Sequence, residues 1–204
     1  MALISEADQA RITAAVAAVE ARSAGEIVCV TAGSASDYRS VPLVWAALLA
    51  LATPWPLISL LHLSAGTVYR VQLGTFIIAA LVLSLANWRF AVVPGFVKRR
   101  RAAQAAREQF FAQGLHRTRA RTGILIYIAE AERHAEIIAD DGIAGKIDKA
   151  FWLRQVETLV AALKQSRPAD GLVAVIEACG EVLAKVAPIA PDDKDELSNR
   201  VVLL

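Results

Sequence analysis

Residues 41–63, VPLVWAALLALATPWPLISLLHL, and residues 71–93, VQLGTFIIAALVLSLANWRFAVV, decide how the chain is read. From Val41 to Trp88 the only formally charged side chain is Arg70. A helix of about 23 residues is about 34 Å long, enough to cross a hydrocarbon core of about 30 Å with some tilt. The link Ser64-Ala65-Gly66-Thr67-Val68-Tyr69-Arg70 is short, so the two helices are expected as antiparallel neighbours in a transmembrane hairpin. Thr53-Pro54-Trp55-Pro56 predicts a kink, because each proline removes a backbone donor and clashes with the carbonyl four residues back. Thr53, Ser59, Thr75 and Ser84 offer hydroxyls for the freed backbone groups. Ala46/Ala50 and Ala80/Ser84 offer small residues for close helix approach.

Basic residues set the expected orientation. Lys98-Arg99-Arg100-Arg101 and Arg107 follow the second run, Arg39 precedes the first, and the link has Arg70 alone. The positive-inside rule then places both termini in the cytoplasm and the protein as multi-pass in the cell's inner membrane. Lys98, Arg99, Arg100 and Arg101 are expected to lie against anionic lipid rather than nucleic acid.

The whole composition agrees. With 204 residues, 56% hydrophobic and 21% charged, the chain has too much apolar surface for disorder, and a formal charge of +2 does not mark a nucleic-acid binder. Cys29 and Cys179, each inside an apolar run, make neither a disulfide framework nor a zinc site. The opening, with Ser5, Glu6, Asp8 and Arg11, lacks the basic-then-apolar order of a cleavable signal.

Working outward, residues 1–40 predict one helix and one strand. Ser5-Glu6-Ala7-Asp8 is a capping-box start, Ile12, Val16 and Val19 share a face, and Gly25 is the stop. Residues 26–31 are a continuous strand pattern of the kind covered on both faces. A lone helix and strand cannot close a core, so partners are expected beyond the hairpin, in residues 94–187. There the pattern predicts a helix over 101–113 capped by Gly114, strands over 123–129 and 134–139 joined by a four-residue turn, a helix over 143–164 and a last helix over 171–186. Residues 188–204 form an extended tail, carrying Asp192, Asp193, Asp195 and Glu196, whose Val201–Leu204 end is free to dock on something apolar. The expected fold is therefore α/β, a small central sheet sandwiched by helices and interrupted after its first strand by a two-helix hairpin. An even number of crossings returns the chain to the side on which it left.

The order of these blocks resembles the TPM-domain family: Ala24-Gly25-Glu26-Ile27-Val28-Cys29-Val30, Thr122-Gly123-Ile124-Leu125-Ile126-Tyr127-Ile128, Ala131-Glu132-Arg133-His134-Ala135-Glu136-Ile137 and Ala139-Asp140-Asp141-Gly142-Ile143. Asp195-Glu196-Leu197 and Val201-Val202-Leu203-Leu204 look like the end of a bacterial membrane branch in which a hairpin splits the domain. The resemblance implies a sheet between helices, and either an auxiliary role beside a membrane protein or a divalent-metal-dependent phosphatase. Many members carry an Asp-Asn pair before the second strand's glycine. Here Arg121-Thr122 stands there, which exchanges a hard-cation ligand for a fixed positive charge.

Asp140 and Asp141 are the candidate ligands for calcium or magnesium, and Asp140 doubles as a helix-start cap. Successive residues of a strand point to opposite faces, so the pair need not converge. His62, His116 and His134 lack metal spacing, no serine sits in a nucleophile elbow, and no glycine loop has the Lys-Ser/Thr sequel of a phosphate cradle. The expected function is a membrane-anchored, non-catalytic interaction or assembly module with a membrane or cytoplasmic protein partner; the alternative is the metal-dependent phosphatase.

Overall fold

The computed structural model describes residues 4–189 and 201–204. The chain divides into two units, the described residues of 1–35 with 99–204, and residues 36–98.

The first unit is α/β. Helix α1 (Glu6–Glu20) leads to strand β1 (Glu26–Ala32). Strands β2 (Gly123–Ala129) and β3 (His134–Ala139) form an antiparallel hairpin, and β4 (Val202–Leu203) completes a sheet of order β3-β2-β1-β4. β1 pairs parallel with β2, from Glu26 opposite Gly123 to Ala32 opposite Ala129. Parallel neighbours need a crossover, and here the crossover is the whole of 33–122. So the strand ahead of the apolar runs and the strand after them lie side by side in one unit, as the sequence pattern required.

Both faces of β1 and β2 are covered, which is why these two strands show no alternation of polar and apolar residues. Ile27, Cys29, Ile124, Ile126 and Ile128 pack with Ile12, Val16 and Val19 of α1 and with helices α8 (Lys149–Lys164) and α9 (Pro168–Val186). The opposite face, Val28, Val30, Leu125 and Tyr127, meets Ala102, Ala106 and Phe110 of helix α6 (Gly95–Ala112). Each valine, leucine, isoleucine or phenylalanine among them, removed from water, contributes about 1.5–3 kcal/mol. The Ser5 cap forms as expected: its Oγ accepts the Asp8 amide at 3.2 Å and donates to Asp8 Oδ2 at 2.7 Å. Gly114 takes the left-handed conformation, φ 76°, that ends α6.

Two expectations are corrected. The helix expected over 143–164 is two, α7 (Asp141–Ala144) and α8, because Asp148 caps a fresh start by accepting the Ala150 amide. Gly25 does not stop α1, which ends at Glu20; it is needed for packing, since a Cβ there would lie 2.7 Å from Leu183. The end of the tail docks on apolar surface as expected, Val201 and Val202 packing against the two cores, and it also pairs as a strand: Leu204 donates to Thr31 O at 2.9 Å and Gly33 donates to Leu204 O at 3.0 Å, closing the outer edge of β1. Asp192, Asp193, Asp195 and Glu196 lie outside the described residues.

The second unit is helical: α2 (Ser40–Ala52), α3 (Pro54–Ser59), α4 (Ala65–Ser84) and α5 (Ala86–Ala91). The proline break falls at Thr53, as the sequence predicted. The hydroxyls of Thr53, Ser59 and Thr75 donate to carbonyls four residues back, Leu49, Trp55 and Val71, rather than to another helix. The second apolar helix covers 65–84, not 71–93, because Leu85 is extended (φ −60°, ψ 140°) and interrupts it. α2 buries Ala46 and Ala50, whereas Ser84 is exposed. The indole of Trp45 donates to Val92 O at 3.0 Å and so ties the first helix to the segment after α5. Large apolar side chains face outward, among them Leu51 at 70% and Leu81 at 67% exposure.

Candidate functional site

The two candidate carboxylates stand where β3 runs into α7. The Asp140 amide extends the ladder by donating to Gly123 O at 2.9 Å, which fixes the backbone in the extended conformation needed for an N-cap. Its side chain is buried at 3% exposure, while that of Asp141 is 89% exposed. Asp140 Oδ1 accepts the Asp141 amide at 2.8 Å.

Both carboxylates converge on Arg121. Nε donates to Asp140 Oδ1 and Oδ2 at 3.1 and 3.0 Å, and Nη2 donates to Asp140 Oδ1 at 2.8 Å and to Asp141 Oδ2 at 2.9 Å. Hydrogen bonding to Asp140, then its negative charge, pushes the guanidinium pKa above its ordinary value. Arg121 holds this position with a left-handed backbone, φ 54°. Next to it Thr122 is locked: its Oγ1 donates to Ala24 O at 2.6 Å and its amide donates to Thr118 Oγ1 at 3.2 Å. Gly142 makes the close approach possible, donating its amide to Arg121 O at 3.0 Å where a Cβ would sit 2.3 Å from Ala120 O.

Sequence spacing said that Asp140 and Asp141 need not converge. They do, because Asp141 already belongs to α7 rather than to β3. Their shared cation is a side chain of the protein. Calcium or magnesium wants about six oxygen ligands. Among the described residues no group of three or more His, Cys, Asp or Glu comes together, and Arg121 already occupies both of these carboxylates, offsetting one of their two negative charges. The donor set does not fit a hard divalent cation.

The remaining candidates do not assemble a nucleophile. Burial, then Cys179 and Glu20, pushes the Cys29 thiol up, and burial pushes Cys179 up to about 12, so both stay protonated and apolar in character. His134 Nε2 lies 3.2 Å from Glu136 Oε2, two residues along β3. His116 stacks edge-on against Phe111 with centroids 5.2 Å apart. Sequence reasoning missed Glu132, whose two carboxylate oxygens each accept the Ala35 amide at 3.1 Å and clamp the chain as it leaves the sheet. Nothing local signals a bond across 97 residues.

The family model of the TPM domain matches residues 85–182. The solved structure of the BA42 protein from the psychrophilic bacterium Bizionia argentinensis is similar in fold, with a TM-score of 0.62 and 19% identity over 98% of this chain and 95% of that one. No curated protein matches the chain. The α/β sheet order, and the strand blocks that carried the resemblance, agree with these findings: residues 85–182 are similar to the TPM domain, and the fold is of that type.

Proposed function

We propose that this protein is a membrane-anchored, TPM-like, non-catalytic interaction module. In this reading residues 40–59 and 65–84 cross the inner membrane as a hairpin, both termini are cytoplasmic, Lys98–Arg101 rest against anionic lipid, and the α/β domain recruits a protein partner at the cytoplasmic face. The observation that carries it is the outward display of large apolar side chains on two helical spans of 20 residues each, the first broken at Thr53, with Leu51, Trp55, Ile58, Ile78 and Leu81 among them. Such a surface is stable in hydrocarbon and costly in water. The engagement of both Asp140 and Asp141 by Arg121 supports the non-catalytic half of the reading.

Two experiments test it. Single cysteines introduced near each terminus and at Gly66 are challenged with a membrane-impermeant thiol reagent on intact cells, with the native thiols buried. Labelling at Gly66 alone is expected; labelling at either terminus overturns the orientation, and release of the protein by alkaline carbonate overturns the anchoring. Purified protein is expected to release no phosphate from a phosphomonoester with calcium or magnesium. Turnover that disappears in Asp140→Asn overturns the non-catalytic reading and leaves the anchoring intact.

A further inference from the structure

A cavity of about 460 Å³ opens in the first unit between the β2–β3 turn and the junction of α8 with α9, away from Arg121. Its apolar wall includes Val160, Leu163 and Pro168, and its charged residues are Glu130, Arg133 and Lys164. Two cations against one carboxylate leave the lining at +1. Among the described residues neither the Arg133 nor the Lys164 side chain has a hydrogen-bonded or ion-pair partner.

The backbone supplies a second, independent observation. Arg133 closes a turn by donating its amide to Glu130 O at 3.0 Å, and its φ is 50°. Ser166, two residues past the end of α8, has φ 57°, beside the Arg167 amide donating to Ala162 O at 3.0 Å. Both are positions at which glycine is the unstrained residue. Both residues also line the cavity, so strained backbone with side chains retained meets at one place. Pro168 opens α9 at the same cavity, and no side chain caps the first amides of that helix. These amides add partial positive charge to the two cations.

We propose that this cavity binds a small organic phosphate bearing a short apolar group, with Arg133 and Lys164 on the phosphate and Val160 and Leu163 along the apolar part. A phosphate fits better than a carboxylate because its several oxygens and double charge can engage a planar guanidinium fork and an ammonium at once. Glu130 disfavours ligands with a second anionic group. A lipid headgroup and a free phosphate ester share this chemistry.

The test is calorimetric titration of the full chain in dodecyl maltoside with hexyl phosphate, inorganic phosphate and hexanol. Hexyl phosphate is expected to bind saturably and about tenfold or more tighter than inorganic phosphate, with no binding of hexanol. Arg133→Gly and Lys164→Gln should each weaken hexyl phosphate by about tenfold or more. Arg133→Gly should do so while the thermal midpoint stays level or rises, since the left-handed backbone is relieved. The proposal is overturned by absence of saturable binding, or by unchanged affinity in Lys164→Gln. In phosphatidylcholine nanodiscs with phosphatidic acid added, loss of hexyl phosphate binding assigns the site to a lipid headgroup, and retained binding assigns it to a free ester.

Discussion

Arg121 and Asp140, 19 residues apart, meet through three hydrogen bonds of 2.8–3.1 Å that join the start of β2 to the end of β3. The two partners differ in exposure: the Arg121 side chain is 53% exposed and that of Asp140 3%. The pair is therefore asymmetric. Removing the arginine strands a carboxylate in the protein interior, whereas removing the carboxylate leaves a guanidinium that water can solvate.

From this asymmetry, Arg121→Gln should destabilise the domain more than Asp141→Asn does, because Asp141 keeps its solvent. Asp140→Ala loses its cap on α7 as well, about 1 kcal/mol from that bond alone. Denaturant titrations of the three variants in detergent check the order. A double-mutant cycle should find stronger coupling of Arg121 to Asp140 than to Asp141.

Gly142→Ala should cost about 1–3 kcal/mol or more, because its Cβ would lie 2.3 and 2.4 Å from two backbone carbonyls that cannot swing aside. Gly145→Ala, three residues on, meets nothing within 4 Å and should stay within about 0.5 kcal/mol of the parent. Thermal midpoints of the two variants measured side by side separate a packing requirement from a general dislike of alanine in this loop.

Alkaline stability should reflect Tyr127. Burial, reinforced by Glu132 and Glu108, pushes its hydroxyl up to about 12 from an ordinary 10.0. Above the ordinary value the unfolded chain gives up this proton while the folded domain keeps it. The folded state then binds more protons, and stability falls as pH rises from about 10 toward 12. Cys179, pushed up to about 12 from 9.0, acts with the same sign from a lower starting pH. Unfolding midpoints across this range should fall less steeply in Tyr127→Phe than in the parent.

Deleting residues 202–204 removes the amide and carbonyl of Leu204 that bond Thr31 and Gly33. A loss of about 1–3 kcal/mol is expected, together with self-association through the bared edge of β1. Chemical denaturation and size-exclusion chromatography read the two effects separately.

Cys29 and Cys179 should resist a thiol reagent in the folded protein and react on unfolding, at a rate that follows the opening of the core. Both are free and buried. Fast labelling under native conditions would contradict the packing described for β1 and α9.

Much of the fold is legible in the chain. Strand patterns at 26–31, 123–129 and 134–139 lie where β1, β2 and β3 form, and Ile12, Val16 and Val19 are the buried residues of α1. Period and composition fail where a break has no strong marker. Nothing in Ser84-Leu85-Ala86 announces the end of α4, and the apolar stripe through Ile147 hid the restart that Asp148 caps. In both places local conformation at one or two residues overrides a longer repeat.

The candidate site divides along the same line. Apolar periodicity and the positions of Asp140, Asp141 and Arg121 are properties of neighbours in the chain, so the elements and the unusual arginine before β2 could be read directly. Which groups touch is different. Arg121 reaches both carboxylates because the β2–β3 register brings Gly123 to the Asp140 amide and Gly142 lets the backbone in; Glu132 reaches Ala35 because β1 and β2 end together. Those meetings arise only when distant segments close on one another, and no spacing rule along the chain encodes them.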